Sequence, residues 1–219
     1  MLMPEDADQQ KQWDRTYSNA QDYFGKEPSV LAARVLPVLR ENGVRTVLEL
    51  GCGQGRDTGF FAGNRFEVTA LDYSESGICQ LRKCAKDAGF RATLKVHDAR
   101  EPLPFPDASF DAVYSHMFFT MEFTEEEVTR MLAECRRVLR PGGINIFSVR
   151  NDHDPHYGKF EPRGKGTWRN PLGFVVHFFD EPTLTRMAAG YDLLWIKEFD
   201  EPSPSCVKKL YEVALRKPL

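Results

Sequence analysis

The fold is decided by residues 45–58, Arg45-Thr-Val-Leu-Glu-Leu-Gly-Cys-Gly-Gln-Gly-Arg-Asp-Thr58. Arg45 to Leu50 is a short run rich in β-branched and aliphatic residues and reads as a strand. It runs directly into Gly51, Gly53 and Gly55. Glycine at every second position leaves no Cβ on the turn, so a ligand can approach the backbone closely. The helix predicted to begin near Gln54 would present its unpaired N–H groups to that ligand. A dinucleotide fingerprint would place its third glycine at position 56, which is Arg56, and the Gly-Lys-Ser/Thr ending of a P-loop is missing. The loop is a cradle for a small ligand of another kind.

Phe66–Leu71, Ala92–Val96, Phe110–Tyr114 and Ile144–Val149 repeat the strand composition. Helical patterns lie between them. In Thr124 to Arg140, Val128, Met131, Leu132, Cys135, Val138 and Leu139 form one apolar stripe, opened by a Thr124/Glu127 capping box and stopped by Pro141-Gly142-Gly143. A second helix begins after Ser74, turns Ile78, Leu81 and Ala85 inward and ends at Gly89. Strands alternating with helices of this length imply βαβ units, hence an α/β fold with a parallel sheet covered by helices on both faces. Tyr191–Phe199 and Leu210–Arg216, linked through Pro202-Ser-Pro204, read as a closing antiparallel pair.

Two further acids sit at strand ends. Asp72, followed by Tyr73, lies seventeen residues after Gly55, where the acid of such a unit accepts hydrogen bonds from ribose hydroxyls. Asp98, followed by Ala99, closes the third strand. With Glu49 they make three acids at three successive strand ends, converging on the crevice where open α/β sheets bind ligands. The spacing specifies a nucleoside without a pyrophosphate.

Composition limits the alternatives. At 219 residues the chain is long enough for one core with additions. A net charge of −3 argues against a broad basic face for nucleic acid. The N-terminal stretch MLMPEDADQQKQW has no apolar run, so it is expected to be neither secretory signal nor transit peptide, and no window is apolar enough to span a membrane. Five scattered cysteines, 52, 79, 84, 135 and 206, suit a reducing cytoplasm, with Cys79 and Cys84 read as packing residues of the second helix.

The motifs Glu49-x-Gly51-x-Gly53-x-Gly55, Asp72, Asp98-Ala99, Phe110-Asp111-Ala-Val and Leu139-Arg-Pro-Gly-Gly143 together resemble class I S-adenosylmethionine-dependent methyltransferases. The likeness covers residues 45–150 firmly and leans towards small-molecule enzymes of the type 11 or tellurite-resistance kind. It implies a Rossmann-like, doubly wound, seven-stranded, mostly parallel sheet with the last strand reversed, S-adenosylmethionine as cofactor, and Asp111 in an organising role. It also implies one domain over 1–219: an N-terminal arm at 1–28 over the cofactor, a cofactor-binding core at 45–150, a lid at 151–180 and closing strands at 190–216. The expected activity is methyl transfer to a small molecule by a cytoplasmic monomer or homodimer, with no nucleic-acid or membrane partner. A macromolecular acceptor, or a cofactor-binding module without turnover, are the alternatives.

By the same resemblance, Glu49, Gly51, Cys52, Gly53, Gly55, Asp72, Tyr73, Asp98, Ala99, Ser115 and His116 hold the cofactor. Trp13 and Tyr17 belong to the arm, either facing the sulfonium or pinning the arm to the core. The Tyr114-Ser-His-Met-Phe-Phe119 stretch is not the Asn/Asp-Pro-Pro-Tyr/Phe sequence of amide and exocyclic-amine methylation. His116 titrates near neutrality, so it serves either as an acceptor's base or as a shaping hydrogen bond. Asn151–Asn170 shows no periodicity and reads as a lid. Tyr157, Arg163 and Trp168 within it, Arg150 before it and His177 after it are candidate acceptor contacts, with His177 also a candidate base or simply a core residue. Asp152-His-Asp-Pro-His156 offers four metal-binding side chains, but the polar lid is the preferred reading and no metal is expected.

Overall fold

The computed structural model describes residues 8–203 and 206–219. The acidic start of the chain and Pro204 of the last link therefore lie outside the described residues. An opening helix α1 (Gln9–Asn19) is followed by α2 (Val30–Glu41), β1 (Thr46–Leu50), α3 (Arg56–Gly63), β2 (Glu67–Asp72), α4 (Glu75–Ala88), β3 (Thr93–Val96) and β4 (Phe110–His116). Then come α5 (Glu125–Val138), β5 (Leu139–Asn151), β6 (Glu161–Gly164), β7 (Thr167–Arg169), β8 (Val175–Phe179), α6 (Glu181–Met187), β9 (Asp192–Pro202) and β10 (Val207–Arg216).

β3, β2, β1, β4 and β5 pair in that order and all in parallel. β10 then adds antiparallel to β5, and β9 antiparallel to β10. This is the expected seven-stranded sheet with its last strand reversed. Its order brings the carboxyl ends of β1 to β5 and β9 and the amino end of β10 to one edge. Leu31, Leu39, Phe61, Ile78 and Leu81 of α2, α3 and α4 fill the core on one face, and Val128, Leu132, Leu184 and Met187 of α5 and α6 that on the other.

The helix signals act as read. Thr124 and Glu127 complete the reciprocal capping box of α5, and Ser74 caps α4, which ends on Gly89 in the left-handed conformation. α3 starts at Arg56 rather than Gln54 because Gly55, at φ 86°, is still part of the turn. Pro141 to Gly143 lie inside the start of β5, where the pairing with β4 is irregular, rather than in a loop.

The segment after β5 differs most from expectation. In place of a structureless lid, β6, β7 and β8 form an antiparallel meander, giving ten strands among the described residues. Arg150 pairs with Leu210 on one edge of β5 and with Phe178 on the other, so β8 continues the line of β4 beyond His116. The strands of four and three residues, exposed or half-buried throughout, are too short and too wet to show alternation in sequence. No helix among the described residues is long and apolar enough to cross a membrane.

Candidate functional site

Gly51 and Cys52 donate their N–H groups to the Leu71 carbonyl at 2.8 and 3.0 Å, which folds the loop after β1 over the end of β2. Gly53 donates to the Asp72 carboxylate at 2.7 Å, and Ser74 donates to its other oxygen at 2.8 Å. Asp72 therefore fixes the turn while remaining on the cleft wall. Burial raises its pKa to about 6 against the pull of these two bonds. Gly55 needs its freedom twice over: φ is 86°, and a Cβ there would lie 2.0 Å from Leu81 Cδ1. At Gly53 a Cβ would meet the Tyr17 hydroxyl at 2.7 Å. The spacing of glycines leaves backbone open on one side and close-packed on the other.

Glu49 lies beneath this turn, buried, accepting from the Thr58 hydroxyl at 2.6 Å. Burial and the neighbouring Asp57 charge push its pKa up to about 8. Asp57 in turn accepts from Ser29 and from the Tyr114 hydroxyl, tying α2, α3 and β4 together below the cleft. Asp98, at the end of β3, is gripped by Arg100, whose hydrogen bonds outweigh partial burial and hold the carboxyl below its usual range. Asp111 accepts from Arg45 and Thr46 and pairs with Arg140 at the opposite sheet edge, a position that organises structure.

The glycine turn, Glu49, Asp72 and Asp98 open on one cavity of about 1910 Å³. Trp13, Tyr17, Glu49, Gly51, Cys52, Gly53, Gly55, Asp72, Tyr73, Asp98, Ala99, His116 and Arg150, all singled out from sequence, line it. Tyr17 is buried over the turn, with Trp13 stacked on it at 5.3 Å and packed on Phe174 at 4.7 Å. The arm is therefore the helix α1, tied to α4 by Asp14 and Gln80.

Other expected residues fall elsewhere. Ser115 is buried but projects to the face of β4 opposite His116, because side chains alternate along a strand. His177 is removed from the cleft for the same reason: Phe174 and Val176 line the cavity, while His177 stacks on Phe179 and bonds the Phe123 carbonyl at 3.1 Å. It is the core histidine of the two readings. Tyr157 and Trp168 pack edge to face on each other and on Phe178, and Arg163 lies on exposed β6; none of the three lines the cavity. Asp152, His153 and Asp154 turn to separate partners, Tyr211, Glu198 and Arg150. Cys79 and Cys84 are exposed rather than packed, since the buried stripe of α4 runs through Gly77, Ile78 and Leu81.

His116 sits on the cleft wall with Nδ1 2.8 Å from Ser148 Oγ and Nε2 3.8 Å from Glu201. Burial lowers its pKa to about 3, so the ring is neutral. Beyond it the wall contains residues that the sequence did not mark: Met117, Phe118, Phe160, Glu201 and Lys208. Only the register of β9 on β10 sets Glu201 opposite Lys208, and no local motif announces that pairing.

A sequence profile for a methyltransferase domain matches residues 47–143. A probable S-adenosylmethionine-dependent methyltransferase of Mycolicibacterium smegmatis is 35% identical over 128 residues, covering 58% of this chain and 44% of the relative. The chain spans about half the length of the curated relatives it matches. Among solved structures, a methyltransferase from Methanosarcina mazei superposes with a TM-score of 0.74 at 24% identity, covering 84% of this chain and 98% of the other. The Burkholderia thailandensis 1,6-didemethyltoxoflavin-N1-methyltransferase, solved with that compound and S-adenosylhomocysteine, superposes with a TM-score of 0.73 at 21% identity, covering 100% and 94%. At these identities the two structures show a shared fold. The backbone of Gly51, Gly53 and Gly55 lines the cavity beside Asp72, as the family's cofactor requires, and side chains at Gly51 and Gly53 would collide with Phe118 and Tyr17 of the same wall. The profile match over residues 47–143, the mycobacterial relative and the shared fold together make the chain similar to the class I S-adenosylmethionine-dependent methyltransferases.

Proposed function

We propose that the chain, working as one methyltransferase domain, transfers the methyl group of S-adenosylmethionine to a small-molecule acceptor and releases S-adenosylhomocysteine. The observation that carries this reading is a single cleft with two chemically distinct ends. At about 1910 Å³ it is roughly twice the upper end of the ~300–1,000 Å³ typical of a site for one small ligand. The glycine turn, Asp72 and Asp98 form one end, and His116, Arg150, Glu201 and Lys208 form the other.

When bound, S-adenosylmethionine supplies an already activated methyl for in-line displacement. Asp72 keeps lone pairs free to accept ribose hydroxyls while its bonds to Gly53 and Ser74 hold it in place. Asp98 and Ala99 flank the base end, Glu49, Cys52 and Tyr73 complete the wall, and Trp13 and Tyr17 present aromatic faces to a cation. Alignment of two reactants contributes about 7–11 kcal/mol in favourable cases, against roughly 3–5 for a general base. With its low pKa, His116 is poorly matched to base chemistry near neutrality, so we assign it to positioning, its ring set by Ser148.

A small acceptor is favoured over a macromolecule because the acceptor end belongs to a cleft that Trp13 and Tyr17 of α1 and Phe174 and Val176 also line, and because the chain carries a net charge of −3. The test is S-adenosylhomocysteine release from the purified chain across thiols, amines, phenols, carboxylic acids and metalloid oxyanions. Turnover of at least one small acceptor is expected. Silence across the panel with cofactor bound would contradict the enzyme reading and favour a binding module.

A further inference from the structure

We infer that Lys208 is the anion-binding residue of the acceptor end, and that the acceptor is a small apolar carboxylic acid. The inference deepens the proposed function and rests on it for the word acceptor. It begins from register. Lys208 of β10 lies directly opposite Glu201 of β9, Leu210 lies opposite Arg150 of β5, and Ser148 opposite His116 of β4. Alternation along each strand therefore puts His116, Arg150, Lys208 and Glu201 on the same face at the same edge.

Of the cations on this wall, two are already engaged. Arg150 donates Nε to Asp154 at 3.0 Å and also contacts His156 and the Phe178 ring. Arg56 bonds Asp57 and the Phe24 carbonyl. Lys208 is half-buried and lines the cleft, yet among the described residues its ammonium has no hydrogen bond or ion pair. Burial, with Arg150 and Arg56 nearby, disfavours its charge and lowers its pKa, while Glu201 works the other way. A desolvated ammonium without a partner is costly, and an anion entering the cleft removes that cost.

Lys208 stands well away from the nucleoside end. β10 is four strands from β2 in the sheet, about 19 Å at the usual strand spacing, which separates Lys208 from Asp72. The wall favours one negative charge. Among the described residues around Glu201 and His116, Lys208 is the uncommitted cation, and the Glu201 carboxyl directly across would oppose a dianion. Met117, Phe118 and Phe160 on the same cavity wall supply apolar surface for the rest of the molecule.

The test is calorimetry on the full chain saturated with S-adenosylhomocysteine, titrated with benzoate and hexanoate, their methyl esters, and phenyl phosphate. At least one carboxylate should bind about ten- to a hundredfold more tightly than its ester, the scale of one hydrogen bond to a charged group. Lys208→Met should erase that difference, Lys208→Arg should restore most of it, and the affinity for S-adenosylhomocysteine should stay unchanged in both. Equal binding of acid and ester, or no binding of either acid, overturns the inference, as does a preference for phenyl phosphate. Parallel loss of S-adenosylhomocysteine affinity in Lys208→Met would also overturn it, by assigning the lysine to the cofactor. Carboxylate binding without methyl transfer to any acceptor would instead refute the proposed function and leave the anion site standing. Methyl transfer to neutral acceptors alone would do the reverse.

Discussion

The two ends of the cleft are built in different ways. The end over β3, β2 and β1 consists of backbone: left-handed glycines, N–H groups fixed by a strand-end carboxylate, and acids within two residues of where a strand stops. The end over β4, β5, β10 and β9 consists of charged side chains brought together by strand register from residues 116, 150, 201 and 208. The first end depends on conformation, and substitutions there should damage folding and cofactor binding together. The second depends on charge, and substitutions there should change recognition with little effect on stability.

The largest effect should follow from Gly55→Ala. The new Cβ would meet Leu81 at 2.0 Å with the backbone at φ 86°. Overpacking and left-handed strain together should cost about 3 kcal/mol or more, read as a fall in the urea midpoint. Lys208→Met, at the other end, should leave the midpoint unchanged or raise it, since it removes a desolvated ammonium without a partner. A large loss in the lysine variant would erase the contrast.

Asp72→Asn should come next, weakening S-adenosylhomocysteine binding by about 1–3 kcal/mol, the range for losing a charged hydrogen-bond partner. Unchanged affinity in calorimetry would break the assignment of this end to the ribose.

Protonation sharpens the comparison further. The folded-state pKa of Glu49 is raised from 4.5 to about 8, so the folded chain holds a proton that the unfolded chain releases. Its contribution is complete below the unfolded value and is lost as pH climbs from about 4.5 through about 8. His116, lowered from 6.5 to about 3, works against this below about 6.5, so thermal midpoints should decline between about 6.5 and 8. Glu49→Gln, which can still accept from Thr58, should flatten that decline and leave Asp72 and His116 opposed below about 6. Asp57 and Asp98 act in the opposite sense, stabilising above their normal range and losing that contribution on acidification. A wild-type midpoint that rises between about pH 6.5 and 8 would contradict the Glu49 environment.

The smallest effect is expected at Arg163. It lies on exposed β6 away from the cavity, so Arg163→Ala should change kcat/KM by no more than about twofold, within the usual range for surface positions. A larger loss would bring the meander back into acceptor recognition.

The same contrast explains how far the sequence could be read. Glu49, the three glycines, Asp72 and Asp98 are legible because each effect is local: a strand ends, a turn needs positive φ, an acid follows. The capping box of α5 and the Ser74 cap of α4 are legible on the same grounds. Glu201 and Lys208 carry no local signal, since their meeting requires β9 to pair with β10 and β10 with β5. His177 misleads for a related reason: its run is apolar throughout, and only the structure shows which parity faces the cavity. The β6 to β8 meander is invisible because strands of three to five residues held by backbone pairing need no side-chain pattern.

The central claim is that the turn from Gly51 to Gly55 with Asp72 and Asp98 holds S-adenosylmethionine. Calorimetric titration of S-adenosylhomocysteine into the wild-type chain tests it most directly. One-to-one binding that saturates well below millimolar ligand is expected, and no heat of binding at millimolar concentration would contradict that assignment.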